Sequence, residues 1–225
     1  MAMQESRQIY EDEAERRGNY FFDIYEGRKS ASPWYLKWYD KKHIDRKDWI
    51  QSKLENMLDK DKVFCEIGCS SGYFPVTNAP RVKKAIWVDI SEEYLRYARR
   101  NAKWRGIENC RFVQGIIGDM DIDEKMDVML FTQVLEHIED DRAALKGLKE
   151  VGDTLVITVP GMKPWAENLR KKIWPDTDPS GHYRNYFLDE FKKLLHDTGW
   201  DVQEIQEISK GKISFNWIIG AVCRH

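Results

Sequence analysis

From Val63 onward, short apolar runs alternate with segments in which apolar side chains recur every three or four positions. The runs are KVFCEIG, KAIWVDI, CRFVQGII, MDVMLFTQ and DTLVITVP, followed by GWDVQEIQEI and KISFNWIIGAV near the end. Runs of this length, rich in β-branched and aromatic residues, predict strands, and near-continuous apolarity predicts burial on both faces. The alternation with helical periods therefore predicts a doubly wound α/β fold with a mostly parallel sheet of seven strands.

The helical segments carry their own start and stop signals. SEEYLRYARRNAKWRG has Ser91 to cap its start, acids in the first turn, bases near the end, and Gly106 to stop it. DRAALKGLKEV and LDEFKKLLHDTG predict two more helices, the second placing Phe191, Leu194, Leu195 and Thr198 on one face before Gly199. Ahead of the first strand, DRKDWIQSKLENMLDK sets Ile50, Leu54, Met57 and Leu58 along one side, an amphipathic helix suited to packing on the sheet. No regular element is predicted for residues 1–44, which are dense in aromatics, or for residues 161–186. The first is expected to form an N-terminal helical and aromatic cap on a domain spanning 45–225. The second exceeds the usual strand-to-helix connection and is expected to be an insertion covering the substrate.

Composition narrows the class. A chain of 225 residues, 42% of them hydrophobic, can bury the core of one domain. The net charge of -2 gives no global field to hold nucleic acid or an anionic membrane, so neither is expected as a partner. The charged N-terminal residues do not resemble a signal peptide, and no apolar run approaches the roughly 20 residues that span a bilayer, so a cytoplasmic location is expected. Cys65, Cys69, Cys110 and Cys223 match neither a zinc site nor a small disulfide scaffold; reduced packing residues and no metal are expected.

The chemistry concentrates after the first two strands. In VFCEIGCSSGYF an acid ends an apolar strand and a turn follows, with Gly68 and Gly72 flanking Cys69, Ser70 and Ser71. Small residues let a ligand approach the backbone, although tight strand-to-helix packing also demands glycine. The second strand ends in Asp89, at the position from which a carboxylate accepts hydrogen bonds from ribose hydroxyls. The alternative for Asp89 alone is a capping or solvated loop acid.

From about Lys62 to Ile208 the chain resembles the class I S-adenosylmethionine-dependent methyltransferases of the group acting on small molecules, sugars and lipid precursors. CEIGCSSGYF is similar to the first motif of the family, IWVDIS to the second, and FTQVLEHIED to the segment after the fourth strand. TLVITVP and GHYRNYFLDEFKKLLHDTGWDV are similar to the fifth strand and to the helix and sixth strand that follow. The resemblance implies S-adenosylmethionine as cofactor and S-adenosylhomocysteine as product. It implies Glu66 near the methionine amine, Gly68, Cys69, Ser70 and Gly72 in the turn beneath methionine and ribose, Asp89 on the ribose diol, and Ile90 on the adenine face. Thr132 and Gln133 would border the methionine portion, with His137 within one helical turn. Ser70 stands where glycine is frequent, which requires its backbone to stay at negative φ. Ile116 stands where many relatives have an acid; either Asp119 reaches the adenine amine or backbone groups alone bind the ring.

Methyl transfer asks the protein to position a nucleophile and, where needed, take its proton. His137 and His182 are the candidate bases, the alternative for His137 being a cap on the helix DRAALKGL. Tyr183 and Arg184 are placed to orient the acceptor or bind an anionic group. Trp34, Tyr35, Trp38 and Tyr39 are candidates for an aromatic lid over it, or for the packing face of the cap. The acceptor is expected to be a small molecule or glycan precursor, methylated on oxygen or nitrogen. The rival readings are a non-catalytic cofactor-binding subunit, a nicotinamide-dependent dehydrogenase, for which GCSSG lacks the GxGxxG spacing, and an aminopropyl transferase, for which HYRNY has the wrong charge.

Overall fold

The computed structural model describes residues 20–26, 37–162, 182–209 and 216–225. All seven apolar runs form strands: β1 (Val63–Ile67), β2 (Lys84–Asp89), β3 (Cys110–Gln114), β4 (Met126–Thr132), β5 (Gly152–Met162), β6 (Asp201–Ile208) and β7 (Asn216–Arg224). They form one sheet in the order β3-β2-β1-β4-β5-β7-β6. The first five strands run parallel, and β7 inserts antiparallel between β5 and β6. The chain steps outward from β1 through β2 to β3 and then returns to the other side of β1 as β4. That reversal opens a crevice beyond the carboxyl ends of β1 and β4, where open α/β sheets bind ligands.

Because successive strand residues point to opposite faces, each strand feeds two cores. Phe64, Trp87, Val128, Leu130 and Val156 pack under helices α2 (Lys37–Met57), α3 (Tyr73–Asn78) and α4 (Glu92–Trp104). Cys65, Ile67, Ile86, Val88, Met129 and Phe131 pack under α5 (Asp141–Val151) and α6 (Leu188–Asp197). Helix periodicity supplies the matching stripes, with Ile50 and Leu54 from α2, Leu95, Ala98 and Ala102 from α4, Leu145 and Leu148 from α5, and Phe191, Leu194 and Leu195 from α6. Burying each of the larger side chains contributes about 1.5–3 kcal/mol. Ser91 caps α4, its hydroxyl accepting from Tyr94 N at 3.1 Å. A short helix, α1 (Tyr20–Tyr25), adds Phe22 to the first core.

Three boundaries differ from the expected ones, the simplest being β3, which stops at Gln114 and leaves the last three residues of its apolar run, through Ile117, outside the strand. The helix before β1 begins at Lys37 and runs through residues 37–44, for which no regular element was predicted. His43 and Arg46 lie on the same face as Ile50 and Leu54 and are buried with them, so the face that packs inward reads as polar in its first turns. Strand β5 extends past Pro160 to Met162 because β7 pairs with it as far as Asn216, and the returning chain adds a bridge on its other edge: Tyr186 N donates to Pro160 O at 3.2 Å and Met162 N to Tyr186 O at 3.0 Å. The segment 161–186 thus leaves the sheet and rejoins it at one place, with residues 163–181 outside the described part. Among the described residues no helix is long and apolar enough to cross a membrane.

Candidate active site

The crevice has a first wall made by the turn after β1. Gly68 and Cys69 both donate their N–H to Val88 O, at 2.8 and 2.9 Å, which folds the turn over the end of β2. Gly68 has φ +76, and a Cβ placed there would lie 2.3 Å from Val134 Cγ2, so the turn is pressed against the chain leaving β4. Gly72, at φ +81, closes the turn with a hydrogen bond from its N–H to Cys69 O at 2.9 Å and leaves no room against the Trp87 ring. Ser70 departs from the expected negative φ and adopts φ +48. It takes the left-handed conformation of the glycine it replaces, at a cost of about 1–3 kcal/mol. The geometry is held by Ser70 N, which donates to Asp89 Oδ2 at 2.8 Å. Asp89 Oδ1 accepts from Ser91 N at 2.9 Å, so this buried carboxylate ties the glycine turn to the start of α4. The Cys69 thiol is buried, and burial pushes its pKa well up, which suits packing.

Glu66, near the end of β1, is 2% exposed, and its Oε2 accepts no hydrogen bond among the described residues. Burial raises its carboxyl well above the ordinary range, Arg46 opposes that, and Asp89 adds to it. A buried acceptor without a donor costs about 1–3 kcal/mol, a cost that an ammonium ligand would relieve. A backbone turn at positive φ, an acceptor-rich Glu66 and an ordered Asp89 therefore fit the amine and ribose of S-adenosylmethionine. Thr132 and Gln133 close the floor: Thr132 Oγ1 and Thr158 Oγ1 lie 2.7 Å apart, and Gln133, at φ +56, donates its N–H to Thr158 O at 2.8 Å. Ile90 is half-buried, its carbonyl accepting from Gln114 Nε2 at 3.1 Å. Ile116 is half-buried too, in a turn closed by Asp119 N donating to Ile116 O at 3.0 Å, with Asp119 exposed.

The second wall is made by side chains. Glu136 and His137 lie in a 3-10 turn, Leu135–His137, after β4. The returning chain is pinned to this turn: Tyr183 N donates to Glu136 O at 2.9 Å, and Arg184 donates Nη1 to Ile138 O at 3.0 Å and Nη2 to Glu139 O. Arg184 also pairs with Asp141 at 2.9 Å, so its guanidinium serves this junction. The pinning brings the His137 and His182 rings to 4.7 Å, edge to face, while Tyr183 points to solvent at 56% exposure. The cap of α5 is Asp140, which accepts from Ala143 N at 2.9 Å, so His137 is not that cap.

Two residues missed in the sequence, Lys42 and Arg46, act on this site from α2, and His43 is buried beside them. Lys42 is held down to about 8 by burial and by Arg46, with Glu136 opposing; His43 is pushed down to about 2 by burial, Arg46 and Lys42. Arg46 is buried, donates to the Tyr25 hydroxyl, and acts electrostatically on both Glu66 and Glu136. Extending the Ile50–Leu54 spacing backwards by two turns reaches Arg46 and then His43 and Lys42. Glu136 is buried at 1% exposure with neither oxygen accepting a hydrogen bond among the described residues, and burial raises its carboxyl to about 8. Its signal was adjacency to His137. Trp34 and Tyr35 lie outside the described residues; Trp38 and Tyr39 fall in the first turn of α2, with their side chains outside them.

Comparison with known proteins bears on the family and the fold. A methyltransferase-domain family model matches residues 58–179. The tRNA (uracil(54)-C(5))-methyltransferase of Saccharomyces cerevisiae is 36% identical over 69 residues, covering 31% of this chain and 11% of that protein. An uncharacterized methyltransferase of Bacillus subtilis, YcgJ, is 26% identical over 152 residues, covering 63% of this chain and 58% of that protein. The magnesium protoporphyrin IX methyltransferase of Synechocystis, solved with bound SAH, superposes with a TM-score of 0.72 at 19% identity, covering 97% of this chain and 99% of that one. With a family model matching more than half of its length on a seven-stranded sheet, the chain belongs to the class I S-adenosylmethionine-dependent methyltransferases.

Proposed function

We propose that the protein transfers a methyl group from S-adenosylmethionine to an oxygen, or a nitrogen, of a small molecule or glycan precursor. The observation that carries this reading is the His137–His182 pair, 4.7 Å between ring centroids, set at the end of β4 beside the crevice. S-adenosylmethionine supplies an electrophilic methyl group on a sulfonium. In this reading Glu66 receives the methionine ammonium, Asp89 the ribose diol, and Ile90 and Ile116 the two sides of the adenine. Gly68, Cys69, Ser70 and Gly72 let the ligand reach the backbone, and Thr132 and Gln133 border the methionine. The imidazoles of His137 and His182 then orient the acceptor and lower the cost of removing its proton.

The N-terminal helices and the chain around Tyr183 and Arg184 act as the cover that selects the acceptor, with Trp34, Tyr35, Trp38 and Tyr39 as its aromatic part. Lys42 and Arg46 add positive charge on that side, which favours an acceptor bearing a carboxylate or phosphate. The porphyrin methyltransferase, similar over nearly all of both chains, supports a small acceptor; the tRNA methyltransferase is similar over less than a third of this chain.

The test is incubation with cofactor labelled in the methyl group, together with a metabolite extract or, separately, total RNA. Label in low-mass products supports the proposal. Label in RNA alone overturns the acceptor class, and tight cofactor binding with no transfer to either would indicate a non-catalytic subunit.

A further inference from the structure

We infer that Glu136, His137 and His182 bind one divalent transition-metal ion of the zinc, cobalt or manganese kind at the acceptor end of the crevice. Each offers one ligand atom, and these atoms all lie within 4.8 Å of one another. Ligands held about 2.0–2.2 Å from one tetrahedral ion lie roughly 3.3–3.6 Å apart, so the side chains must close by up to about 1.5 Å. His137 and His182 are half-buried, and the main chain that carries them is fixed by the bonds from Tyr183 N to Glu136 O, at 2.9 Å, and from Arg184 to Ile138 O, at 3.0 Å.

The carboxylate supplies the independent argument. Glu136 is 1% exposed, and neither oxygen accepts a hydrogen bond among the described residues. Lys42, Arg46 and its own main chain act on it electrostatically, but no donor among the described residues meets its oxygens in hydrogen-bond geometry. A dication between Glu136 and two imidazoles would satisfy both the charge and the lone pairs. Two nitrogen donors and one oxygen favour zinc, cobalt or manganese over magnesium or calcium, which prefer all-oxygen shells. Three protein ligands leave positions open, the pattern of catalytic rather than structural sites. Spacing arguments miss this cluster because His182 arrives from a segment far along the chain.

The inference deepens the proposed function and rests on it only for its consequence. An ion here would acidify a hydroxyl of the acceptor, favouring oxygen over nitrogen. As the new O–C bond forms, the S–C bond breaks; the hydroxyl proton passes to solvent, and no electron is exchanged with the ion.

The experiment uses the full chain, stripped with a chelator and titrated with cobalt(II), reading visible absorption and calorimetric heat. Affinity for S-adenosylhomocysteine is measured on the same samples. One cobalt per chain is expected, weakened by more than about tenfold in Glu136→Gln and in His182→Ala, the loss typical even of groups one step removed from a metal. Homocysteine-product affinity should stay within a few fold in both variants, showing that they are folded. Absence of binding at millimolar cobalt, or equal affinity in the folded variants, overturns the site. Because no acceptor is present, a metal-binding protein that labels only RNA would refute the proposed function and leave this inference standing.

Discussion

The crevice wall after β1 is held by backbone, and the wall opposite by side chains. Gly68, Ser70 and Gly72 take positive φ, and their N–H groups end on Val88, Asp89 and Cys69. Such a wall cannot change residue without changing shape. Glu136, His137 and His182, with Lys42 and Arg46 facing Glu136, keep an ordinary main chain and concentrate buried charge instead. There, side chains can be exchanged while the scaffold stays. In the proposed function the two walls would divide the labour between a common cofactor and a variable acceptor, the first met by geometry and the second by replaceable chemistry.

The sharpest way to break the comparison is His182→Ala. Turnover should fall by about 10²–10⁴-fold, the range of a positioned acid or base, while affinity for S-adenosylhomocysteine stays within a few fold. Single-turnover kinetics and calorimetry read the two quantities; a parallel fall in both would mean that the walls are not separable. Gly68→Ala should do the converse and damage the frame. The added methyl meets Val134 at 2.3 Å in a conformation that disfavours it. A loss of about 2–5 kcal/mol in denaturant unfolding is expected, together with cofactor binding.

Asp89→Ala should weaken cofactor binding by about 1.5–3 kcal/mol, since its charge-assisted bonds order the turn and would meet the ribose. Unchanged affinity in a folded variant would remove Asp89 from the site. The smallest effect is expected for Glu66→Gln. The folded protein raises this carboxyl above its ordinary 4.5, so the stability it allows is fully present below that value and is lost as pH rises through the raised one. The amide should leave the ligand-free protein as stable at neutral pH, or more stable by about 1 kcal/mol, while reducing cofactor affinity. Unfolding curves at several pH values check this; a less stable variant would show that the Glu66 charge is already compensated.

Much of the first wall was legible before any coordinates. The β1 acid, the glycine turn and Asp89 sit in one continuous stretch of the chain, and each is marked by a local requirement of strand end, turn or cap. Even there, Ser70 was misjudged, because its left-handed backbone is imposed by the bond to Asp89 from another strand. The second wall was legible only as isolated names. His137 and His182 were singled out without their proximity, Glu136 was passed over, and α2 was begun at Asp45, which left out Lys42 and His43 because they do not continue its apolar stripe.

The order of residues by itself determined the seven strands, the main helices and the glycine turn. Strand alternation, helix period, capping and glycine conformation act over a few residues, so they are written in neighbouring positions. Only the tertiary structure decided that Arg46 would face two buried carboxylates, that Arg184 would clamp the turn after β4, and that His182 would meet His137. Those contacts join segments distant in the chain. Burying a charged or polar group is favourable only when its partners arrive together, and no local period records which partners they will be.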